Sequence, residues 1–452
     1  MLIQSLRAEP ARPRWIANWP HAHWLAVGSV CLGAFMGQLD ASIVTLTFPA
    51  LGTEFGSTLA AVQWVSLSYL LTLVALLAPV GRLADTAGRK LVYLYGFGVF
   101  TLASAACGLA DSLPALIAFR VVQAIGAAML QANSVALVTT SAPRERMRLA
   151  LGVQAAAQAL GLALGPTVGG LLVAGVGWRW VFGVNVPIGI VAIIAGRYLL
   201  PRTRQRTPAG APDWWGVALL ATSASALLLA LSSASGLPLP PTAVGALFVL
   251  GVLTAVGFVW RQRRARSPLI DLDLLRHKAT RYGLVAATLG YLVLFGPLVL
   301  VPAMISSPLR AGLALTSLPA GFALAATLGG RFVPATWSER RRCLLGSLLC
   351  CAALATLCAG GPLVGALALL GVGLGLVTPA NNALVMAAIP ARCSGLGGGL
   401  VNMARGLGTT LGVSVTTLAL HLTGESWPAF AALLVAAAAM AVVFLTDSHR
   451  SR

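Results

Sequence analysis

The chain has 452 residues, of which 58% are hydrophobic and only 10% charged, with a formal net charge of +19. A soluble surface needs roughly a quarter charged residues, so lipid must be the solvent for most of this chain, which excludes a soluble enzyme. The basic excess invites a nucleic-acid partner, and the positions of the basic residues decide that question.

Apolar runs long enough to cross about 30 Å of hydrocarbon at 1.5 Å per residue recur along the whole length. They predict fourteen spans, at about 25–47, 62–83, 91–110, 114–138, 149–174, 178–200, 214–234, 241–260, 283–305, 311–333, 343–360, 362–387, 394–422 and 427–446. The first run holds Asp40 and lacks a small-residue cleavage site, so it reads as a retained span rather than a signal peptide. The runs do not alternate apolar and polar residues, which argues for an all-α polytopic membrane protein and against a barrel. Gly and Pro inside them (Gly161, Gly165, Pro166, Gly373, Pro379) are tolerated where neighbouring membrane helices re-satisfy the backbone.

With the N-terminus placed inside, basic residues fall in every second loop. They are Arg7 to Arg14, Arg89 and Lys90, Arg144 to Arg148, Arg202 to Arg206, Arg261 to Arg281, Arg340 to Arg342, Arg392, and Arg450 with Arg452. The opposite loops hold only Arg179 and Arg310. This is the positive-inside asymmetry, so the basicity reflects topology and calls for no nucleic acid. Trp24, Trp64, Trp178, Trp180, Trp214, Trp215, Trp260 and Trp427 fall at span ends, as expected of rings seated at the headgroups. Cys343, Cys350, Cys351 and Cys358 share one span without an acidic or His companion, and read as small packing residues rather than a metal site.

Shifting the sequence by 247 positions pairs Gly126 with Gly373, Pro143 with Pro390, Gly161 with Gly408 and Gly165 with Gly412. The expected organisation is therefore a duplicated six-helix unit. Residues 1–24 form a cytoplasmic N-terminus, 25–200 the first bundle, 201–282 a linker with two inserted helices, 283–446 the second bundle, and 447–452 a cytoplasmic tail. The same shift puts Ala287 opposite Asp40 and Leu367 opposite Arg120, so the second bundle lacks their charges.

The cytoplasmic turn GRLADTAGRK (Gly81 to Lys90) combines Gly81, Arg82, Asp85, Gly88 and Arg89. Gly81 would admit a close helix, Asp85 would face an Arg or a helix N-terminus, and Gly88 would permit the turn. Together with LDASIVTLTFP (from Leu39), RVVQAIGAA (from Arg120), GLALGPTVGG (from Gly161) and WRWVFGVNVPIG (from Trp178), the turn resembles the major facilitator superfamily. The branch it looks like is the fourteen-span drug:proton antiporters of QacA/EmrB type. The resemblance implies two six-helix bundles plus two inserted helices, export by alternating access, a cytoplasmic gating role for the turn, and an antiporter motif at Gly161, Gly165, Pro166, Gly169 and Gly170. The second copy of the turn, GRFVPATWSERRR (Gly330 to Arg342), lacks the matching Asp.

Asp40 is the one acid well inside a span, and a carboxylate there is costly enough to mark function and to demand a basic partner. Arg120 lies at the same depth and is the expected partner. Desolvation and the neighbouring cation pull the protonation of Asp40 in opposite directions, which would let the pair act in proton coupling. Gln123, Gln158, Asn381, Asn402 and Arg405 are candidate cavity residues. No GxxxxGK[ST] loop occurs, so no cofactor is expected and the proton gradient is the expected energy source. The expected function is proton-coupled efflux of small amphipathic compounds by a monomer in the cytoplasmic (inner) membrane. The alternatives are transport of one endogenous metabolite and a degenerate relative that no longer transports.

Overall fold

The structure, a computed structural model, describes residues 9, 12–143, 146–203, 213–234, 236–265, 268, 277–332, 334, 336–389 and 394–446. Among these the long helices are α1 (Ala22–Ile43), α2 (Trp64–Ala87), α3 (Arg89–Gly108), α4 (Leu113–Ser141), α5 (Met147–Gly175), α6 (Asn185–Leu199) and α7 (Trp214–Ala234). They continue with α8 (Pro241–Arg264), α9 (Lys278–Met304), α10 (Pro308–Phe332), α11 (Glu339–Cys358), α12 (Leu363–Ala387), α13 (Ser394–Thr423) and α14 (Trp427–Thr446). The described residues contain no strand. Within the expected 201–282 linker, residues 204–212, 235, 266–267 and 269–276 lie outside the described residues, as does the C-terminal tail.

Among the described residues, thirteen segments are long and apolar enough to cross a membrane. The exception is α13, whose 30 residues include Asn402, Arg405, Thr409, Thr410, Ser414, Thr416 and Thr417. Five of those seven are buried, so the helix gives up hydropathy where it faces protein rather than lipid. The first span is longer than expected, running from Ala22 to Phe55. It is broken after Ile43 by a 3-10 turn, Val44–Thr47, before a short helix, Phe48–Phe55. Pro49 cannot donate into the ladder, and the hydroxyls of Ser42, Thr45 and Thr47 bond to carbonyls three residues back, both of which favour a bend.

Helices α1–α6 and α9–α14 pack in the same pattern. The contacts α1·α5, α3·α4, α2·α4 and α3·α6 of the first set recur as α9·α13, α11·α12, α10·α12 and α11·α14. The close approaches recur too. A Cβ at Gly126 would lie 2.9 Å from the Gly96 carbonyl oxygen, and one at Gly373 would lie 2.6 Å from that of Gly346. Gly161 abuts the Phe35 carbonyl as Gly408 abuts that of Thr288, which makes Val293, not Ala287, the spatial counterpart of Asp40.

The two sets meet along α5·α10 and α2·α13. On the first seam, Gly312 rests on the Pro166 carbonyl, Gly170 on the Pro308 carbonyl, and the Thr167 and Thr316 hydroxyls bond to each other. On the second, Gly406 rests on Val74. The inserted helices α7 and α8 pair with each other, and α7 leans on α2 and α13. The Ser232 hydroxyl of α7 accepts hydrogen bonds from Gln63 Nε2 (3.2 Å) and Trp64 Nε1 (3.1 Å). Asp213 joins the other end of the pair by accepting from Arg261 Nε (2.9 Å) and Gln262 Nε2 (3.2 Å).

Candidate functional site

Asp40 lies on the last turn of α1, just before the bend, and is fully buried. Its Oδ2 accepts from Arg120 Nη1 at 2.7 Å, and Arg120, on α4, is 1% exposed. Its Oδ1 accepts from Gln123 Nε2 at 3.0 Å and from Asn185 Nδ2 at 3.1 Å. Arg120 also donates to the Val65 carbonyl (2.9 Å) and to Gln123 Oε1 (2.6 Å), and Gln123 donates to Ser104 Oγ (2.7 Å). The guanidinium carbon sits 4.1 Å from the centroid of the Tyr69 ring. Helices α1, α2, α3, α4 and α6 thus converge on one carboxylate. A buried ion pair is stable only when its spare donors and acceptors are met, and here several are.

Two polar atoms at this network have no partner, Tyr69 Oη and Asn185 Oδ1. A cavity of about 10 Å³, close to the volume that admits one water, opens beside Tyr69. Its walls include Thr45, Tyr69 and Arg120 from the first bundle and Phe295, Thr409 and Val413 from the second. The carboxylate network therefore borders the surface on which the bundles meet.

The candidate cavity residues fall in different surroundings. Gln123 is fully buried inside the first bundle, where at three residues from Arg120 it shares that face of α4 and joins the carboxylate network. Asn381 donates to the Gly283 carbonyl at 2.8 Å, tying α12 to α9. Gln158 lines a second small cavity with Gln38, Gln131 and Ser134. Arg405 lies over the Tyr291 ring, 5.3 Å from its centroid, with Nη1 3.4 Å from Asn402 Oδ1. Asn185 and Ser104 are network members that the sequence reading did not pick out. An Asn inside WRWVFGVNVPIG was the available signal.

At the motif turn, Gly88 takes φ 113°, where any side chain is strained, and α2 gives way to α3 there. Gly81 is not a close approach: a Cβ on it would stand 4.0 Å from Ala132 Cβ, ordinary contact. The side chains of Arg82 and Asp85 lie outside the described residues. The Arg89 backbone amide donates to Thr203 Oγ1 at 3.0 Å. Lys90, counted above as a loop charge, is fully buried and donates to the carbonyls of Arg197 (2.9 Å) and Leu200 (2.6 Å), closing the end of α6. Trp178 is likewise no headgroup anchor, being buried and donating to Glu54 Oε2, while Arg179 donates to Glu54 Oε1 at 2.6 Å.

In α5, Gly161, Gly165 and Gly169 all press on α1, against Phe35, Ser42 and Ile43. Gly170 and the Pro166 carbonyl face α10 of the other bundle. One helix face thus touches the segment that carries Asp40, and the next touches the seam between bundles.

Residues 30–413 match the model of the Major Facilitator Superfamily. The chain belongs to that superfamily. It is 32% identical to the tetracenomycin C resistance and export protein of Streptomyces glaucescens over 408 residues, covering 87% of this chain and 75% of that one. It is 30% identical to the methylenomycin A resistance protein of Streptomyces coelicolor, covering 92% and 89%. It is 29% identical to the riboflavin transporter RibZ of Clostridioides difficile, covering 86% and 87%. A crystal structure of a peptide transporter, POT, in complex with sulfate superposes with a TM-score of 0.71 at 16% identity, covering 99% of this chain and 98% of that one, a likeness of fold. The protein is thus a polytopic member of a superfamily of transporters, with relatives named for antibiotic resistance.

Proposed function

We propose that the protein is a proton-coupled exporter of small amphipathic compounds, and that Asp40 carries the proton. The observation behind this reading is the buried Asp40–Arg120 pair at 2.7 Å beside the seam between the bundles. Protonating Asp40 removes the charge that holds Arg120 Nη1 and turns one carboxylate oxygen into a donor, so α1, α4 and α6 lose the contact that fixes their spacing. Movement of α1 reaches the seam through α5, because Gly165 and Gly169 press on α1 while Gly170 presses on α10. Rocking of the bundles about that seam would expose the cavity to alternate sides. One charge crossing 100 mV is worth about 2.3 kcal/mol, so a proton gradient with no other cofactor supplies useful work.

In this reading the end bearing Arg89, Lys90, Arg202 and Arg340 faces the cytoplasm, both termini lie there, and a single chain in the inner membrane suffices. The test is uptake of a panel of cationic, neutral and anionic fluorescent dyes into inverted vesicles under an imposed pH gradient. Export through Asp40 requires gradient-dependent uptake that disappears in Asp40→Asn; normal uptake by that variant removes Asp40 from the mechanism. If the wild type moves none of the panel, the second reading stands, transport of one metabolite, which the similarity to a riboflavin transporter supports. A degenerate relative would move neither dye nor metabolite.

A further inference from the structure

Among the described residues each bundle holds an arginine well inside a span, Arg120 and Arg405, and the two are treated differently. Arg120 has a carboxylate, a backbone carbonyl and an amide oxygen as partners. Arg405 has Asn402 Oδ1 at 3.4 Å, beyond the usual N–H···O range, and its buried Nε has no partner. Among the described residues no carboxylate lies within ion-pair distance of Arg405. It stands on the twelfth residue of the 30-residue α13, roughly 17 Å along the helix from its start, so water at the membrane surface is not its natural partner.

Beside it runs a flat apolar strip. Tyr291 lies under the guanidinium, and Tyr291 and Phe295 are stacked with centroids 6.3 Å apart and planes 20° from parallel. Phe295 in turn walls the cavity at the bundle seam, together with Arg120 and Tyr69. A continuous path of arginine, ring, ring and cavity therefore lies on the second bundle's side of the interior.

We propose that the transported compound is an aromatic acid, its anionic group held by Arg405 and its ring laid on Tyr291 and Phe295. The inference rests on the protein being an exporter and adds the substrate class. A lipophilic cation entering here meets an uncompensated guanidinium, while the Asp40 carboxylate is already engaged by Arg120, Gln123 and Asn185. An aromatic anion supplies what is missing: a charge-assisted, fork-shaped acceptor for the guanidinium, including its orphaned Nε, and a face for the rings.

The test is binding, independent of transport, by the ligand-induced shift in unfolding temperature of the full chain in nanodiscs at pH 7.5. The probes are 2-naphthoate, its methyl ester and 2-naphthylmethylammonium, which share a ring system and differ in charge. The naphthoate should bind at least tenfold tighter than the other two. Arg405→Gln should abolish that preference, Arg405→Lys should keep part of it, and Tyr291→Leu should weaken acid and ester alike while leaving their ratio. The unliganded unfolding temperature of each variant reports whether it folds, and the wild-type comparison alone suffices if one does not. Equal binding of the three probes to wild type, tighter binding of the amine, or an acid preference that survives Arg405→Gln overturns the proposal. A naphthoate preference in a protein that transports nothing would sink the exporter reading and leave only an aromatic-acid binding site at Arg405 standing. Proton-driven dye export with no acid preference would do the reverse.

Discussion

The two bundles are near copies in how their backbones approach and unlike in what they bury. Gly96 and Gly126 meet as Gly346 and Gly373 do. Lys90 closes the end of α6 through two carbonyls, and Arg340 closes the end of α14 by donating to the Phe444 carbonyl (Nε, 2.7 Å) in the corresponding place. Where the first bundle has Asp40, however, the second has Val293, and Leu367 replaces Arg120, both apolar and buried. Duplication has kept the contacts that set helix spacing and let the interior chemistry diverge. On the proposed reading this becomes a division of labour, with proton handling in the first bundle and substrate contact on the second.

The sharpest way to break that division is at the ion pair. Asp40→Asn should bring gradient-driven uptake to background, and should also destabilise the protein by about 3–5 kcal/mol because it strands a buried guanidinium. Replacing both partners, as Asp40→Asn with Arg120→Gln, should recover much of the stability in a thermal unfolding assay and none of the uptake. If uptake returned with stability, the pair would be a structural tie only, and the contrast between bundles would lose its functional meaning.

That pair was legible in the sequence because the argument needed only depth and cost: a carboxylate in an apolar span must find a cation at its own level. The glycine repeat was legible for a similar reason, since close helix approach leaves a periodic mark. What escaped was whatever depends on helix rotation and on carbonyls. Gln123 is a candidate cavity residue by sequence, and only the folded helices show its side chain bridging Asp40, Arg120 and Ser104, while Asn185, one Asn at a helix start, has no period. Lys90 looks like any positive-inside charge until the end of α6 arrives beside it. Trp178 fits a headgroup belt by position and is in fact an indole donor to Glu54.

Next in size are the glycines, where the comparison predicts equal effects in both halves. Gly126→Ala and Gly373→Ala each push a Cβ into backbone of the neighbouring helix, at Gly96 and Gly346. Each should cost about 1–3 kcal/mol by thermal unfolding, because backbone yields less readily than a side chain. By contrast Gly81→Ala, in the motif turn but with its nearest neighbour at 4.0 Å, should leave stability almost unchanged. Unequal penalties at Gly126 and Gly373 would show that the repeat's two seams are not equivalent.

The helix-end cations give a smaller and more discriminating test. Lys90→Met and Arg340→Met each remove the cation from carbonyls at a helix C-terminus, where such a charge contributes up to about 2 kcal/mol when partly buried. Both variants should unfold earlier. Lys90 is enclosed whereas Arg340 is half-buried, so the shift should be larger for Lys90.

A smaller loss than at the helix ends belongs to Asn381, and it separates a structural polar residue from a substrate contact. Asn381 Nδ2 donates to the Gly283 carbonyl at 2.8 Å, while its Oδ1 is buried without a partner. A hydrogen bond between membrane helices is worth about 0.6 kcal/mol, because the separated helices find other partners. Asn381→Ala also removes an orphaned acceptor, which offsets part of that loss. Unfolding temperature should therefore change by little, and the affinity for 2-naphthoate should not change at all. A selective loss of naphthoate binding in Asn381→Ala would move the substrate path from α13 and the Tyr291 face of α9 to the interface of α9 with α12, and Arg405 would then serve the gate rather than the ligand.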